Sequence, residues 1–326
     1  MLIVSEITSE GKENMDQQTR LADFFKEWME TYKKPAILPV TYIKYQNTHA
    51  HILKYYGDIP LKKMTRQIYQ KGINHFAQTH AKRTTAGFHK QIRAAVIDAL
   101  EEGIIETDFT RKAIITGREK EKSKAMFLSF SEWCTLLQYT GEYATNHLNF
   151  IIYLSAATGL RYAEVLGLTV SDINYKQKTI SVTKTWDHKY HTGFKTTKND
   201  SSVRVVDVDV QTLKVIREVL RTRRFKQADQ KICEDDRGKL PVSATINRYL
   251  EKLCYKLAIS PISYHGLRHT HASILLFKGI NILSVSKRLG HKDVTTTQTV
   301  YLHVIKEMEE RETKLIMKIM REAMKV

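Results

Sequence analysis

Apolar residues in this chain recur every three or four positions along most of its length, and every second position in one window only. That change of period bounds the fold. Leu21, Phe24, Phe25, Trp28, Met29 and Tyr32 make one apolar face at helical spacing. Pro35 and Pro39 stop that helix. A second helix starts near Thr41, carries Tyr42, Tyr45, Ile52 and Tyr56 on its face, and stops at Gly57. A third covers about Arg66 to Thr79. A fourth runs from about Thr84 to Glu102, with Gly103 where a left-handed cap is needed. Residues 18–113 therefore predict a small helical bundle, behind a flexible polar lead-in over 1–17.

The charged stretch GREKEKSK lies in the 114–125 segment, which reads as a linker because a helix there would bury nothing. A second unit, 126–326, follows. Ser129 and Glu132 have the spacing of a capping box ahead of a helix over Glu132 to Tyr139. His147 to Thr158 is apolar enough for a buried helix, Gly159 breaks it, and RYAEVLGL begins another turn. The period then drops to two. Thr179 to Lys184 and Val203 to Val210 read as the strands of a hairpin with a polar, turn-rich tip between them. From Val210 onward the pattern is helical again, ending in a helix over 304–323. The expected class is mainly α: an N-terminal helical bundle plus a mixed α/β domain with a small antiparallel sheet.

Charge narrows the partner. Lys and Arg number 52 against 35 Asp and Glu, a net +17, which calls for a polyanion. No apolar run is long enough to span a bilayer, so no membrane role is expected. Three widely spaced cysteines suit a reducing cytoplasm and exclude a disulfide framework. There is no phosphate-loop or dinucleotide fingerprint, which disfavours an ATP-driven motor. His265 and His269 stand four apart, but no acidic ligand flanks them, so no metal site and no cofactor is expected.

Three segments carry the chemistry: ATGLRYAEVLGL, SYHGLRHTHAS and LGHKDVTTTQTVYLHV. Together, and in this order, they resemble the tyrosine recombinases, the integrases of phages and conjugative transposons. The family pattern is Arg, a hairpin Lys, His-x-x-Arg, His or Trp, then Tyr. Its matches here are Arg161, Lys198, His265, Arg268, His291 and Tyr301. The motifs are specific in the second unit and only compositional in the first. The resemblance implies a helical core-type DNA-binding domain over 18–113 and a catalytic domain over 126–326. It also implies a homotetramer on double-stranded DNA built from protomers that each clamp the duplex in a C shape. Accessory excision or bending factors and a cytoplasmic, nucleoid-associated setting belong to the same picture. No motif identifies which residues read DNA.

The implied chemistry is coherent. A phenol that attacks a phosphodiester stores the bond as a phosphotyrosine ester and needs no ATP. Two guanidiniums, Arg161 and Arg268, suit the charge that builds on the non-bridging oxygens. His265 accepts the phenol proton or binds the phosphate, and His291 donates to a phosphate oxygen. Lys198 protonates the leaving 5′-oxygen, with Lys195 as the alternative, and Glu164 orients an arginine. The 17-residue lead-in is too short for the arm-binding domain of many integrases. The tail helix packs on its own domain or docks onto a neighbouring subunit. An inactive DNA-binding relative would bind without a covalent adduct, a topoisomerase would relax one plasmid without joining two sites, and a metal nuclease would fail in chelator.

Overall fold

The structure is a computed structural model that describes residues 18–119, 126–190, 192–196, 202–225, 227–291, 293–295, 297, 298, 301, 317, 320 and 321. The chain divides into two units, 1–122 and 123–326, each with its own apolar core.

In the first unit, α1 (Leu21–Trp28) buries Leu21, Ala22, Phe25 and Trp28 and runs on through a π-helical turn, Met29–Lys33. Helix α2 (Pro39–Tyr56) begins at Pro39. That proline opens α2 and does not close α1, because the first helical position needs no N–H and wants the φ a proline supplies. Helix α3 (Arg66–Ala77) is capped by Thr65, whose hydroxyl accepts the Ile68 N–H. Helix α4 (Lys82–Glu101) presents Phe88, Ile92, Ala95, Val96 and Ala99 to the core, and Gly103 takes the left-handed φ of 72° after it.

In the second unit, the capping box forms: Ser129 accepts the Glu132 N–H, and the Glu132 carboxylate accepts the Ser129 N–H. It starts α5 (Phe130–Glu142). Helix α6 (His147–Thr158) is buried nearly all round, so it forms the spine of this unit. Gly159 ends it in the left-handed conformation, and α7 (Tyr162–Leu166) follows. Strands β1 (Ile173–Asn174), β2 (Thr179–Val182) and β5 (Arg204–Asp207) form an antiparallel sheet in the order β1-β2-β5, with Ile180 opposite Val206.

The segment between β2 and β5 differs from the expected polar tip. It holds its own ladder, β3 (Lys184–Trp186) against β4 (Phe194–Thr196), with Thr185 opposite Lys195. Trp186 and Phe194 meet edge to face across it, 5.3 Å between centroids, and Asp187 accepts bonds from the turn that follows. An aromatic cross-strand pair separated by a long polar loop is easily read as loop alone.

Helices α8 (Val210–Thr222), α9 (Ser243–Lys256), α10 (Tyr264–Phe277) and α11 (Ile282–Leu289) complete the unit. Asp209, Ser263 and Asn281 cap α8, α10 and α11 with side-chain oxygens. The expected lead-in lies outside the described residues, as does the expected tail helix apart from Met317, Met320 and Arg321, which are helical and exposed. Among the described residues no helix is long and apolar enough to cross a membrane.

Candidate active site

Two helix ends and one helix face build the site. Helix α6 ends at Gly159, and α11 ends at Gly290, both left-handed, with φ 71° and 67°. Between them lies α10, which carries His265, Arg268 and His269 at positions i, i+3 and i+4, hence on one face.

The two predicted arginines converge on the end of α11. Arg268, 3% exposed, donates from Nη1 to the Gly159 carbonyl at 2.8 Å and from Nη2 to the Leu289 carbonyl at 2.7 Å. Arg161 donates from Nη2 to the next carbonyl, Gly290, at 2.8 Å. A third arginine, Arg204 on β5, donates from Nε to the Arg288 carbonyl at 2.7 Å. Three cations thus occupy three consecutive carbonyls at a helix C-terminus, where the backbone dipole is negative. Burial, then the charge of Arg161, lowers the Arg268 pKa to about 9, which still leaves it a cation at neutral pH.

Glu164, 1% exposed, ties two of these arginines together. It accepts from Arg161 Nη1 at 2.8 Å, from the Arg161 backbone N–H at 2.8 Å and from Arg204 Nη2 at 2.9 Å. Burial works against its charge, but the Arg204 hydrogen bond and the two guanidiniums win, and its pKa falls to about 2. Arg204 is not among the residues that the sequence motifs single out. Its partnership with a buried carboxylate was the signal lacking, and no local pattern carries it.

Tyr301 is 1% exposed and packs against Ala272, Leu276, Val285 and Leu289. Its hydroxyl lies 3.0 Å from His269 Nδ1. Burial raises the phenol pKa to about 12, against the opposing effect of Arg268. His265 is exposed, and its ring meets the His269 ring edge on, 4.7 Å between centroids. Shielding of the His265 ring, then Arg268 and Arg161, lowers its pKa. His291 follows Gly290 and pairs through Nδ1 with the Thr297 hydroxyl at 2.7 Å. Burial, then Arg268, Arg161 and Arg204, lowers its pKa to about 4. His291 also borders a cleft of about 750 Å³ whose walls include Arg204, Lys287 and Arg288.

The structure therefore brings Arg161, Glu164, Arg268, His291 and Tyr301 together where the ends of α6 and α11 meet one face of α10. His265 sits beside them on α10. Lys198 lies outside the described residues. Lys195, on β4, is half exposed and its ammonium holds Asp187 at 2.7 Å. His269 entered the sequence reading only as half of a rejected metal pair. Among the described residues no group of three or more His, Cys, Asp and Glu side chains is arranged to hold a metal ion.

A mostly helical fold here gathers several guanidiniums and a buried phenol around one helix end. Residues 126–308 match the phage integrase family, and residues 20–77 match the phage integrase N-terminal SAM-like domain. The chain belongs to the phage integrase family. It is a tyrosine recombinase, an enzyme that breaks and rejoins DNA strands at specific sites.

Among its relatives, the integrase of Staphylococcus phage L54a is 27% identical over 322 residues, covering 89% of this chain and 90% of that one. In fold it is similar to the Tn1549 transposon integrase in complex with transposon right-end DNA. That match has a TM-score of 0.73 and 15% identity, and covers 90% of this chain and 99% of the other. It is also similar to the lambda integrase in a tetramer bound to a Holliday junction. There the TM-score is 0.65 at 18% identity, covering 90% of this chain and 84% of the other.

Proposed function

We propose that this chain is the integrase of a mobile element, and that Tyr301 is the residue that attacks the scissile phosphorus to give a 3′-phosphotyrosine link. Arg161 and Arg268 hold the non-bridging oxygens, His265 and His291 donate to the phosphate, and Glu164 fixes the Arg161 guanidinium. Lys198 protonates the leaving 5′-oxygen, and Lys195 is the alternative once it leaves Asp187. The observation that carries this reading is the meeting of Tyr301 with α10, where Arg268 and Arg161 reach consecutive carbonyls.

The DNA partner follows from the family and the net +17. The 18–113 unit is the core-type DNA-binding domain, 114–125 the linker and 126–326 the catalytic domain. Four protomers hold two sites, a reading supported by the likeness to the lambda integrase, which forms a tetramer bound to a Holliday junction. A C-terminal helix over 304–323 docks onto the neighbouring subunit. Accessory factors set the direction of integration or excision.

The test is a denaturing gel. A duplex recovered by covalent capture from a random-sequence pool is nicked and incubated with the protein. The wild-type chain should leave a protein–DNA band that survives SDS, and Tyr301→Phe should leave none. A band in that variant would move the nucleophile elsewhere. Lys198→Ala should cut normal DNA slowly and recover on DNA with sulfur at the leaving 5′ position, because a thiolate leaves without a proton. No recovery would return the acid role to Lys195 or another group.

A further inference from the structure

The phenol of Tyr301 needs somewhere to send its proton, and the sequence pointed to His265. The geometry points to a different imidazole. The hydroxyl of Tyr301 meets His269 Nδ1 at 3.0 Å, and their rings stand 5.7 Å apart at 63°. His265 is one ring further out, edge on to His269.

The direction of this hydrogen bond follows from the two groups. Burial, then His265 and Arg268, lowers the His269 pKa to about 4, so its ring is neutral near pH 7. Burial holds the Tyr301 phenol protonated, with a pKa of about 12. The phenol therefore donates, Nδ1 accepts, and the imidazole proton sits on Nε2.

We propose that His269 is a catalytic residue: the base that takes the Tyr301 proton as the phenol attacks, and the acid that returns it when the strand is resealed. The proposal rests on Tyr301 being the nucleophile. In the forward step the Tyr301 Oη–P bond forms and the P–O5′ bond breaks. The phenol proton passes to His269 Nδ1, giving an imidazolium, while the 5′-oxygen takes a proton from the general acid assigned to Lys198. In the reverse step the 5′-hydroxyl attacks and gives its proton back to the neutral amine assigned to Lys198, the O5′–P bond forms as the Oη–P bond breaks, and the imidazolium returns its proton to Oη. Burial makes the phenol a weak acid and the imidazole a weak base, so the proton leaves as the O–P bond forms and not before. Arriving phosphate narrows that gap, because an anion beside the ring favours the imidazolium. His265, released from the phenol, is left to contact phosphate.

A structural anchor for Tyr301 would look the same in a static picture, so the test must move protons. In the full chain with ¹⁵N-labelled histidine, two-bond nitrogen–proton correlations report each ring's tautomer, and His269→Gln assigns the signal. Nδ1 should be unprotonated and Nε2 protonated. A proton on Nδ1 would overturn the proposal. On the nicked duplex described above, His269→Gln keeps a hydrogen-bonding side chain but cannot take a proton. It should bind the duplex as the wild type does and form the adduct about 10²- to 10⁴-fold more slowly. His269→Ala should regain part of the rate with added imidazole, and the regain should track the basicity of the added azole. Wild-type speed in His269→Gln, or rescue indifferent to azole basicity, sinks the idea. Failure of the nucleophile itself would show separately, as a persisting band in Tyr301→Phe.

Discussion

At the scale of single residues, the site is a set of charges that survive burial only through their partners. Glu164 is the clearest. Its carboxylate is enclosed, yet Arg204 and Arg161 keep it ionised. Glu164→Gln strands the buried Arg204 cation and should cost about 3 kcal/mol in urea unfolding, with a loss of adduct formation. His271 stabilises in a different way. It is buried and neutral, its Nδ1 faces the Ala156 carbonyl, and its Nε2 accepts from Arg288 Nε at 3.0 Å.

These two groups contribute to a pH dependence with one sign. Burial, then Arg288, lowers the His271 pKa from 6.5 to about 3, so the unfolded chain takes up a proton there before the folded one does. Its contribution is whole above pH 6.5 and drains as pH falls toward 3. Glu164 adds a second loss, from its ordinary 4.5 down to about 2. Stability should therefore fall from pH 6.5 downward, and His271→Gln should make the part between 6.5 and 4.5 shallower, with the lowered His269 and His291 keeping some of the slope. Equal slopes in that variant and the wild type would contradict this account. Activity should be complete in EDTA, since the proposed chemistry runs on guanidinium, imidazole, amine and phenol alone. Arg161, Arg268, His291 and Tyr301 were legible in the motifs as candidates, because side chains of those types suit phosphoryl chemistry. The partners were not. His269 lies 32 positions from Tyr301, and Glu164 lies 40 from Arg204.

At the scale of elements, two glycine-ended helices do the positioning. A helix C-terminus presents unpaired carbonyls, and those of Gly159, Leu289 and Gly290 face Arg268 and Arg161. Gly159 is needed twice over. Its φ is 71°, and a Cβ there would stand 2.7 Å from His271 Cδ2. Gly159→Ala should cost at least about 1 kcal/mol from the backbone alone, with more from the displaced imidazole. A urea midpoint unchanged in that variant would refute the argument. The helices themselves were readable, since apolar spacing and capping residues are local signals. The capping box at Ser129 and the buried helix over His147–Thr158 appear where the pattern puts them. The β3–β4 ladder was not readable, because three-residue strands carry too little alternation to stand out from a polar loop.

At the scale of the whole molecule, two units have separate cores, one centred on α1 to α4 and the other on α6. A unit with its own core can fold alone. The fragment 123–326, expressed by itself, should show helical circular dichroism and a cooperative melt; a molten or unfolded fragment would contradict the division. The net +17 makes binding a release of counterions from DNA. The affinity of the full chain for duplex DNA should fall steeply and linearly in log–log coordinates as salt rises, and a flat dependence would remove phosphate contacts from the account.

Sequence alone determined that this chain is mainly helical, that one short window is sheet, and which side chains are the candidates for phosphate. These are properties of spacing and residue chemistry, and both are written locally. Tertiary structure decided that the phenol meets the imidazole at 269 and not the one at 265, and that Arg204 shares a carboxylate with Arg161. It also decided that the end of α11 receives three guanidiniums. Contacts across 32, 40 and 129 positions depend on how helix ends converge in space, and no periodicity along a chain encodes that convergence.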